Sequence, residues 1–138
     1  METRGTHIVC ELSGCSAQVL SDVDGVRAIM EAAAREANAE ILKVAFHRFV
    51  PQGVSGVVVI AESHMSIHTW PESGYAAVDF YTCGDHTDPR RACEFAAKKL
   101  GAGSMLTTEV KRGIASTNGH YTHVVHEHAD RSVAKRSA

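Results

Sequence analysis

The sequence of 138 residues lacks the features that mark several large classes of protein. It has no apolar run near the ~18 residues that span a bilayer, and its start, METRGTHIV, has no apolar stretch before a small-residue cleavage site. It has no concentrated basic stretch apart from Arg131, Lys135 and Arg136 near the end, and the formal net charge is -2. These absences argue against membrane and nucleic-acid-binding proteins, and we expect a cytoplasmic protein.

Cysteine is also scarce. Only four are present, and no two of them have the CxxC spacing of zinc ribbons and redox motifs. In a reducing compartment we expect Cys10, Cys15, Cys83 and Cys93 to be free thiols. Free cysteines are commonly small buried side chains, so only Cys83 is kept as a candidate for chemistry.

What the sequence does contain is typical of one globular domain. Hydrophobic residues make up 44% of the chain and charged residues 22%. A chain of this length can bury a modest core without disulfides or metals. We therefore expect a single domain over residues 1–138.

Apolar spacing predicts two main helices. The first runs from a cap at Ser21 or Asp22 to about Ala37, and its apolar residues recur at helical intervals. The second begins at Pro89, directly after the Asp88 cap, and ends before a pair of glycines.

Five or six other segments predict strands, because they are short, apolar and bounded by turn residues. They are His7–Leu12, Ile41–Phe49, Val54–Ala61, Met65–Trp70, Tyr75–Cys83 and about Ser104–Arg112. Short connections between consecutive strands favour hairpins. We therefore predict an α+β fold, a two-layer sandwich in which a mostly antiparallel sheet carries the two main helices on one face. Residues 115–138 are polar and poorly patterned, and we expect a loose tail there.

Reactive side chains concentrate between the apolar strands. The segment ESHMSIHTWPE covers residues 62–72, followed by GYAAVD at 74–79 and TCG at 82–84. Serine, histidine, carboxylate and thiol groups at the edge of a hydrophobic core cost stability, so they indicate a site. From the spacing alone, hydrolytic groups and merely hydrogen-bonded strand residues are both open.

These motifs resemble the signature of the S-adenosylmethionine decarboxylase proenzymes, in the short prokaryotic form of that pyruvoyl enzyme family. FHRF, PQGVSGVVVIAESH, the early G-x-H-x-V strand and the DP that opens the second helix extend the similarity to roughly residues 5–113. The resemblance implies an enzyme that cuts itself, makes a pyruvoyl cofactor and decarboxylates S-adenosylmethionine. The product is the aminopropyl donor for spermidine synthesis.

By resemblance, the scissile bond joins Glu62 and Ser63. The Ser63 hydroxyl attacks the Glu62 carbonyl, and β-elimination then leaves a pyruvoyl group, with residues 1–62 as β chain and 63–138 as α chain. Its ketone forms a Schiff base with the substrate amine and takes up the electrons that decarboxylation frees. Ser55 and His68 match the residues that serve processing, His68 as the base.

Cys83 matches the residue that protonates the decarboxylated α-carbon, and a misplaced proton would instead convert the pyruvoyl group to alanine. A thiol suits this task because an unperturbed thiol stays mostly protonated near neutral pH. Four residues match the substrate pocket, where aromatic faces serve adenine and the sulfonium and a carboxylate serves the ribose: Phe49, Met65, Trp70 and Glu72. The resemblance also implies a homodimer of cleaved protomers with the active site at the interface.

Two related functions are alternatives. A pyruvoyl-dependent ornithine or arginine decarboxylase could use the same scaffold, but the retention of Phe49, Trp70 and Glu72 argues against it. A non-catalytic regulatory paralogue would be expected to have lost Ser63, His68 or Cys83, and the chain retains all three.

Metal binding is a third alternative, because four histidines lie near the end of the chain: His120, His123, His126 and His128. No cysteine or carboxylate frame flanks them, so we expect no metal there. His64 and His68 are about 13 Å apart on one face of an extended strand, which is too far for a shared ion.

Overall fold

A computed structural model describes residues 2–61 and 63–133. Within these residues the elements follow in the order β1 (Gly5–Ser13), α1 (Ala17–Leu20), α2 (Val23–Glu36), β2 (Ile41–Arg48), β3 (Val54–Ile60), β4 (Ser63–Trp70), β5 (Tyr75–Cys83), α3 (Pro89–Lys99), β6 (Ser104–Ala115) and β7 (Tyr121–Ser132). A short 3-10 turn at Pro71–Ser73 joins β4 to β5. None of the helices described is long and apolar enough to cross a membrane.

The seven strands form one sheet in the order β2-β3-β4-β5-β1-β6-β7, and every neighbouring pair is antiparallel. Two successive hairpins join β3 to β4 and β4 to β5, whereas β1 is inserted between β5 and β6. In the β3–β4 hairpin, Ile60 is paired with Ser63. The predicted α+β sandwich is confirmed.

The hydrophobic core lies between one face of the sheet and the helices α2 and α3. Helix α2 begins after Asp22, whose carboxylate accepts a hydrogen bond from the Gly25 amide at 3.1 Å. Its buried side chains are Val26, Met30, Ala33 and Ala34. The even-numbered residues of β1, β3 and β5 face them, because successive strand side chains alternate between the two faces.

The other face of the sheet carries none of the helices described, and we call it the open face. Odd-numbered residues of β1, β3 and β5 and even-numbered residues of β4 point to it. It therefore receives most of the reactive side chains of the chain: His7, Ser55, His64, His68, Asp79, Tyr81 and Cys83.

The chain after Ala115 differs from the prediction of a loose tail. β7 pairs with β6 over Tyr121–Ser132 and forms one edge of the sheet. The prediction was wrong because an edge strand can be held by backbone hydrogen bonds without an apolar pattern. Exposed Tyr121, Val124 and Val125 belong to this strand. Residues 134–138 of the predicted tail lie outside the described residues.

Tertiary packing brings two of the cysteines together. The sulfur atoms of Cys10 in β1 and Cys93 in α3 are in contact across the core over a sequence separation of 83 residues, with the Cα atoms 7.3 Å apart. Disulfides join Cα atoms ~4.4–6.8 Å apart, so this contact does not overturn the expectation of free thiols. Cys15 and Cys83 are free and buried.

Candidate active site

Ser63 stands at the tip of the β3–β4 hairpin as the first residue of β4. Its Oγ atom is buried and has no hydrogen-bond partner among the described residues. An unpaired buried hydroxyl costs about 1–3 kcal/mol, so native proteins rarely keep one without a functional reason. Glu62, the preceding residue, lies outside the described part of the chain.

Cys83 ends β5 at the same end of the sheet. Because His64 is paired with Tyr81, the start of β4 lies beside the end of β5. The Cys83 thiol is only 8% exposed and faces Gly5 of β1. By strand alternation, Ser63 points toward the helices and Cys83 toward the open face, so the structure brings the two residues to one sheet end on opposite faces.

A hydrogen-bonded cluster lies beside them on the open face, and we call it the Asp79 cluster. It consists of Asp79, His7, His64, Ser66 and Arg112. One Asp79 oxygen, Oδ2, is 2.6 Å from His7 Nε2 and 3.1 Å from His64 Nε2, and Ser66 donates to the other. Arg112 Nη1 lies 3.1 Å from His7 Nδ1. Since arginine can only donate, His7 Nδ1 accepts, and His7 Nε2 carries the proton donated to Asp79.

The charge of Asp79 is fixed by these donors. Burial alone raises the pKa of this carboxyl group, but the hydrogen bonds from His7, Ser66 and His64 outweigh it and lower the pKa to about 2. His7, His64 and Asp79 also place their ligand atoms within 4.8 Å of one another, as metal ligands do. The Arg112 guanidinium beside His7 opposes a dication at that point.

Ser55 and His68 lie at the opposite end of the hairpin. They are paired across β3 and β4, and Ser55 Oγ is 2.8 Å from His68 Nδ1. This contact joins the two predicted processing residues directly. His68 is five residues along β4 from Ser63, however, which corresponds to about 16 Å of extended strand. Within one protomer, neither residue reaches the scissile bond.

A groove of about 300 Å³ adjoins this pair and is lined by Phe49, Ser55, His68, Trp70 and Glu72, together with Gln52, Gly53 and Thr69. Gln52 Nε2 donates to Glu72 Oε2 at 2.9 Å and orients that carboxylate. Trp70 stacks on Tyr75 with ring centroids 5.1 Å apart. Phe49 and Trp70 are 45% and 44% exposed, so each ring keeps surface that a planar ligand can cover.

Met65 is the predicted pocket residue that the structure places elsewhere. It lies on the helix side of β4 and is 1% exposed, so it packs in the core. Sequence reasoning also missed His7, Asp79, Tyr81 and Gln52. One signal was available for Asp79, because a carboxylate between Val78 and Phe80 in an apolar strand marks an outward-facing polar position.

Comparison with protein families matches residues 6–113 to the family described as S-adenosylmethionine decarboxylase. A curated relative from Carboxydothermus hydrogenoformans is 58% identical over 114 residues, which cover 83% of this chain and 90% of the relative. Another from Caldicellulosiruptor saccharolyticus is 55% identical over 114 residues, covering 83% of this chain and 92% of the relative. Both are named S-adenosylmethionine decarboxylase proenzyme.

Among solved structures, the chain is similar to the crystal structure of the adenosylmethionine decarboxylase from Aquifex aeolicus. The TM-score is 0.78 and the sequence identity 38%. The alignment covers 85% of this chain and 97% of the other. The likeness therefore extends over nearly the whole of that protein.

Proposed function

The chain belongs to the S-adenosylmethionine decarboxylase family, and from this premise we propose how the residues on its sheet build and use an active site. It is a self-processing carboxy-lyase that removes the carboxylate of S-adenosylmethionine. The decarboxylated product serves polyamine synthesis as an aminopropyl donor. We propose the cleavage position, the cofactor, the roles of the residues and the assembly.

Processing begins at Ser63. Its Oγ attacks the Glu62 carbonyl, so that an ester replaces the peptide bond. Loss of the Ser63 Cα proton then expels the Glu62 carboxylate as the new end of residues 1–62, and the dehydroalanine left behind hydrolyses to a pyruvoyl group with release of ammonia. The observation that carries this proposal is the buried Ser63 hydroxyl, which has no partner among the described residues.

A pyruvoyl group fits position 63. Its formation removes the unpaired hydroxyl, and cleavage makes residue 63 a chain terminus that can rotate toward the open face. When present, the group supplies a ketone that accepts the electron pair left by the departing carboxylate. Cys83, at the same sheet end, delivers the proton that the substrate α-carbon then needs.

Ser55 and His68 serve the site of a second protomer. Their 2.8 Å contact supports a joint role, with His68 as the base that removes the Ser63 Cα proton. They lie about 16 Å along the strand from Ser63, so the role requires another copy of the chain.

A homodimer formed through the open face meets this requirement. In a two-fold dimer the same surface patch is used by both copies. If two open faces pack head to tail, the Ser55–His68 end of each protomer covers the Ser63–Cys83 end of its partner. Each open face also presents apolar side chains that such packing would bury, among them Val9 and Val59, each 39% exposed.

The groove beside His68 binds the adenosine part of the substrate. Phe49 and Trp70 offer rings for stacking adenine and for contact with the sulfonium, and Glu72 accepts hydrogen bonds from the ribose hydroxyls. Gln52 holds Glu72 in place. A groove that selects a nucleoside in this way has no use in an ornithine or arginine decarboxylase.

Intact-mass spectrometry under denaturing conditions tests the proposal. The wild-type chain is expected as two fragments divided after residue 62, and the larger one should lack a free α-amine and react with a carbonyl reagent. Ser63→Ala is expected to remain one chain and to be inactive, because the attacking hydroxyl is gone.

Ser104→Ala is the matched control, since it removes a serine hydroxyl from β6 at the opposite end of the sheet and should leave cleavage intact. A wild-type preparation that decarboxylates S-adenosylmethionine while every molecule remains a single uncut chain would contradict the proposal.

A further inference from the structure

Tyr81 lies between the Asp79 cluster and Cys83. It precedes Cys83 by two residues on β5, so both side chains point to the open face. Gly5 of β1 is paired with Cys83 and leaves room for both. A Cβ atom added at Gly5 would lie 2.8 Å from Tyr81 Cε1 and 3.1 Å from Cys83 Sγ. The tyrosine ring and the thiol therefore meet over this glycine.

The ring of Tyr81 contacts two side chains that also contact each other. His7 stacks on it with centroids 5.1 Å apart, and the Arg112 guanidinium carbon lies 4.5 Å from its centroid. Arg112 is also 3.1 Å from His7, and His7 is 2.6 Å from Asp79. These contacts restrict the movement of the ring, and with it the movement of its hydroxyl.

We propose that Tyr81 is a positioning residue for Cys83: its hydroxyl donates a hydrogen bond to the sulfur and stabilises the thiolate formed when Cys83 gives up its proton. The inference rests on the proposed function, in which Cys83 is the proton donor. In that step the S–H proton moves to the substrate α-carbon from which the carboxylate has left, and the S–H electron pair stays on sulfur.

The state of Tyr81 suits a donor. Burial and the negative charge that Cys83 can carry raise its pKa, and the nearby Arg112 charge lowers it. The net direction is upward, so the hydroxyl keeps its proton near neutral pH. Arg112 places its positive charge against the Tyr81 ring.

The hydrogen bond from Tyr81 favours delivery of the Cys83 proton to the substrate α-carbon. If Cys83 delivers it late, a proton can reach the former ketone carbon at residue 63 instead. Hydrolysis then leaves the substrate nitrogen on the protein as an N-terminal alanine and releases the rest of the substrate as an aldehyde. Hydrogen bonds to charged groups are about twice as strong as those between neutral groups, so the loss of this bond should raise the frequency of this event about tenfold.

Tyr81→Phe tests the inference in the cleaved enzyme incubated with S-adenosylmethionine. The readout is the number of N-terminal alanines formed per turnover, measured by mass spectrometry of residues 63–138 alongside product formation. We expect an increase of about tenfold over wild type. Tyr75→Phe is the matched control, because it removes a tyrosine hydroxyl from the same strand and face, where it contacts Glu11 rather than Cys83, and it should keep the wild-type ratio.

An unchanged ratio in a cleaved, active Tyr81→Phe enzyme overturns the inference and leaves the proposed function intact, whereas a wild-type chain without a pyruvoyl group overturns the proposed function itself. If Tyr81→Phe accumulates uncleaved, Arg112→Gln replaces it. That variant keeps the hydroxyl but loosens the ring, so we expect a smaller rise in alanine per turnover. No rise there also overturns the inference.

Discussion

Asp79 shows how single residues set the charge of the open face. Its side chain is only 20% exposed, yet it is ionised because three side chains donate to it. Burial by itself would raise the pKa of this carboxyl group and favour its neutral form. The hydrogen bonds lower the pKa by more than burial raises it. The Asp79 carboxylate contacts His64, which directly follows Ser63. It also contacts His7, whose ring stacks on Tyr81, two residues before Cys83.

Asp79→Asn should change the stability of the protein in a pH-dependent way. A folded-state pKa of about 2 against an ordinary 3.8 contributes stability that is present above pH 3.8 and is lost as the pH falls through about 2. The shift corresponds to about 2 kcal/mol. We expect the variant to be less stable by this amount at pH 6, with the difference shrinking between pH 4 and pH 2.

Urea denaturation at several pH values measures this, in the uncleaved Ser63→Ala background so that unfolding concerns one chain. Asp130→Asn removes an exposed carboxylate from β7 and serves as control. A stability difference for Asp79→Asn that is the same at pH 6 and at pH 2 would show that the carboxylate charge is not its source.

At the scale of elements, apolar periodicity was sufficient where a strand or helix faces the core. The predicted strand Tyr75–Cys83 has the bounds of β5, and the predicted helices correspond to α2 and α3. Apolar periodicity failed for segments that are held in the sheet only by backbone hydrogen bonds to a neighbouring strand. β7 has little apolar pattern, and β4 begins at Ser63 rather than Met65 because hairpin register extends it.

The same distinction separates the predicted from the missed parts of the site. Ser55 opposite His68 follows from counting residues back from one hairpin turn, so it was predictable. The Asp79 cluster joins β1, β4, β5 and β6, and 72 residues separate His7 from Asp79. Such contacts depend on the insertion of β1 between β5 and β6, which no local pattern reveals.

Removal of β7 should lower the thermal stability of the protein without preventing self-cleavage. β7 pairs with β6, Arg131 reaches Glu94 of α3 at 2.6 Å, and the Val133 amide donates to Gly103. A chain ending at Ser116 loses these contacts, and we expect its Tm to fall by about 5 °C or more. The candidate site lies on the other strands, so self-cleavage should continue, as intact mass would show.

A chain ending at Val133 keeps β7 and is the control, for which we expect the wild-type Tm. A chain ending at Ser116 that is folded by circular dichroism but remains uncut would show that β7 takes part in processing.

At the scale of the whole molecule, the open face explains why one protomer carries two separated half-sites. The Ser63–Cys83 end has the candidate precursor and proton donor, and the Ser55–His68 end has the candidate base and the nucleoside groove. Helices cover the other face, so the open face is where the described part of the chain can join the halves. In the proposed homodimer, two-fold symmetry gives two complete sites.

Mixed dimers test this arrangement directly. His68→Ala and Ser63→Ala should each stay uncut alone, because every site in their homodimers lacks the base or the hydroxyl. Coexpressed, they should form heterodimers in which the His68→Ala chain supplies Ser63 and the Ser63→Ala chain supplies His68. Only the His68→Ala chain should then be cut, and differently tagged chains would reveal this by intact mass. If neither chain is cut although size and tag capture show the heterodimer, His68 acts within its own protomer, and the shared site is wrong.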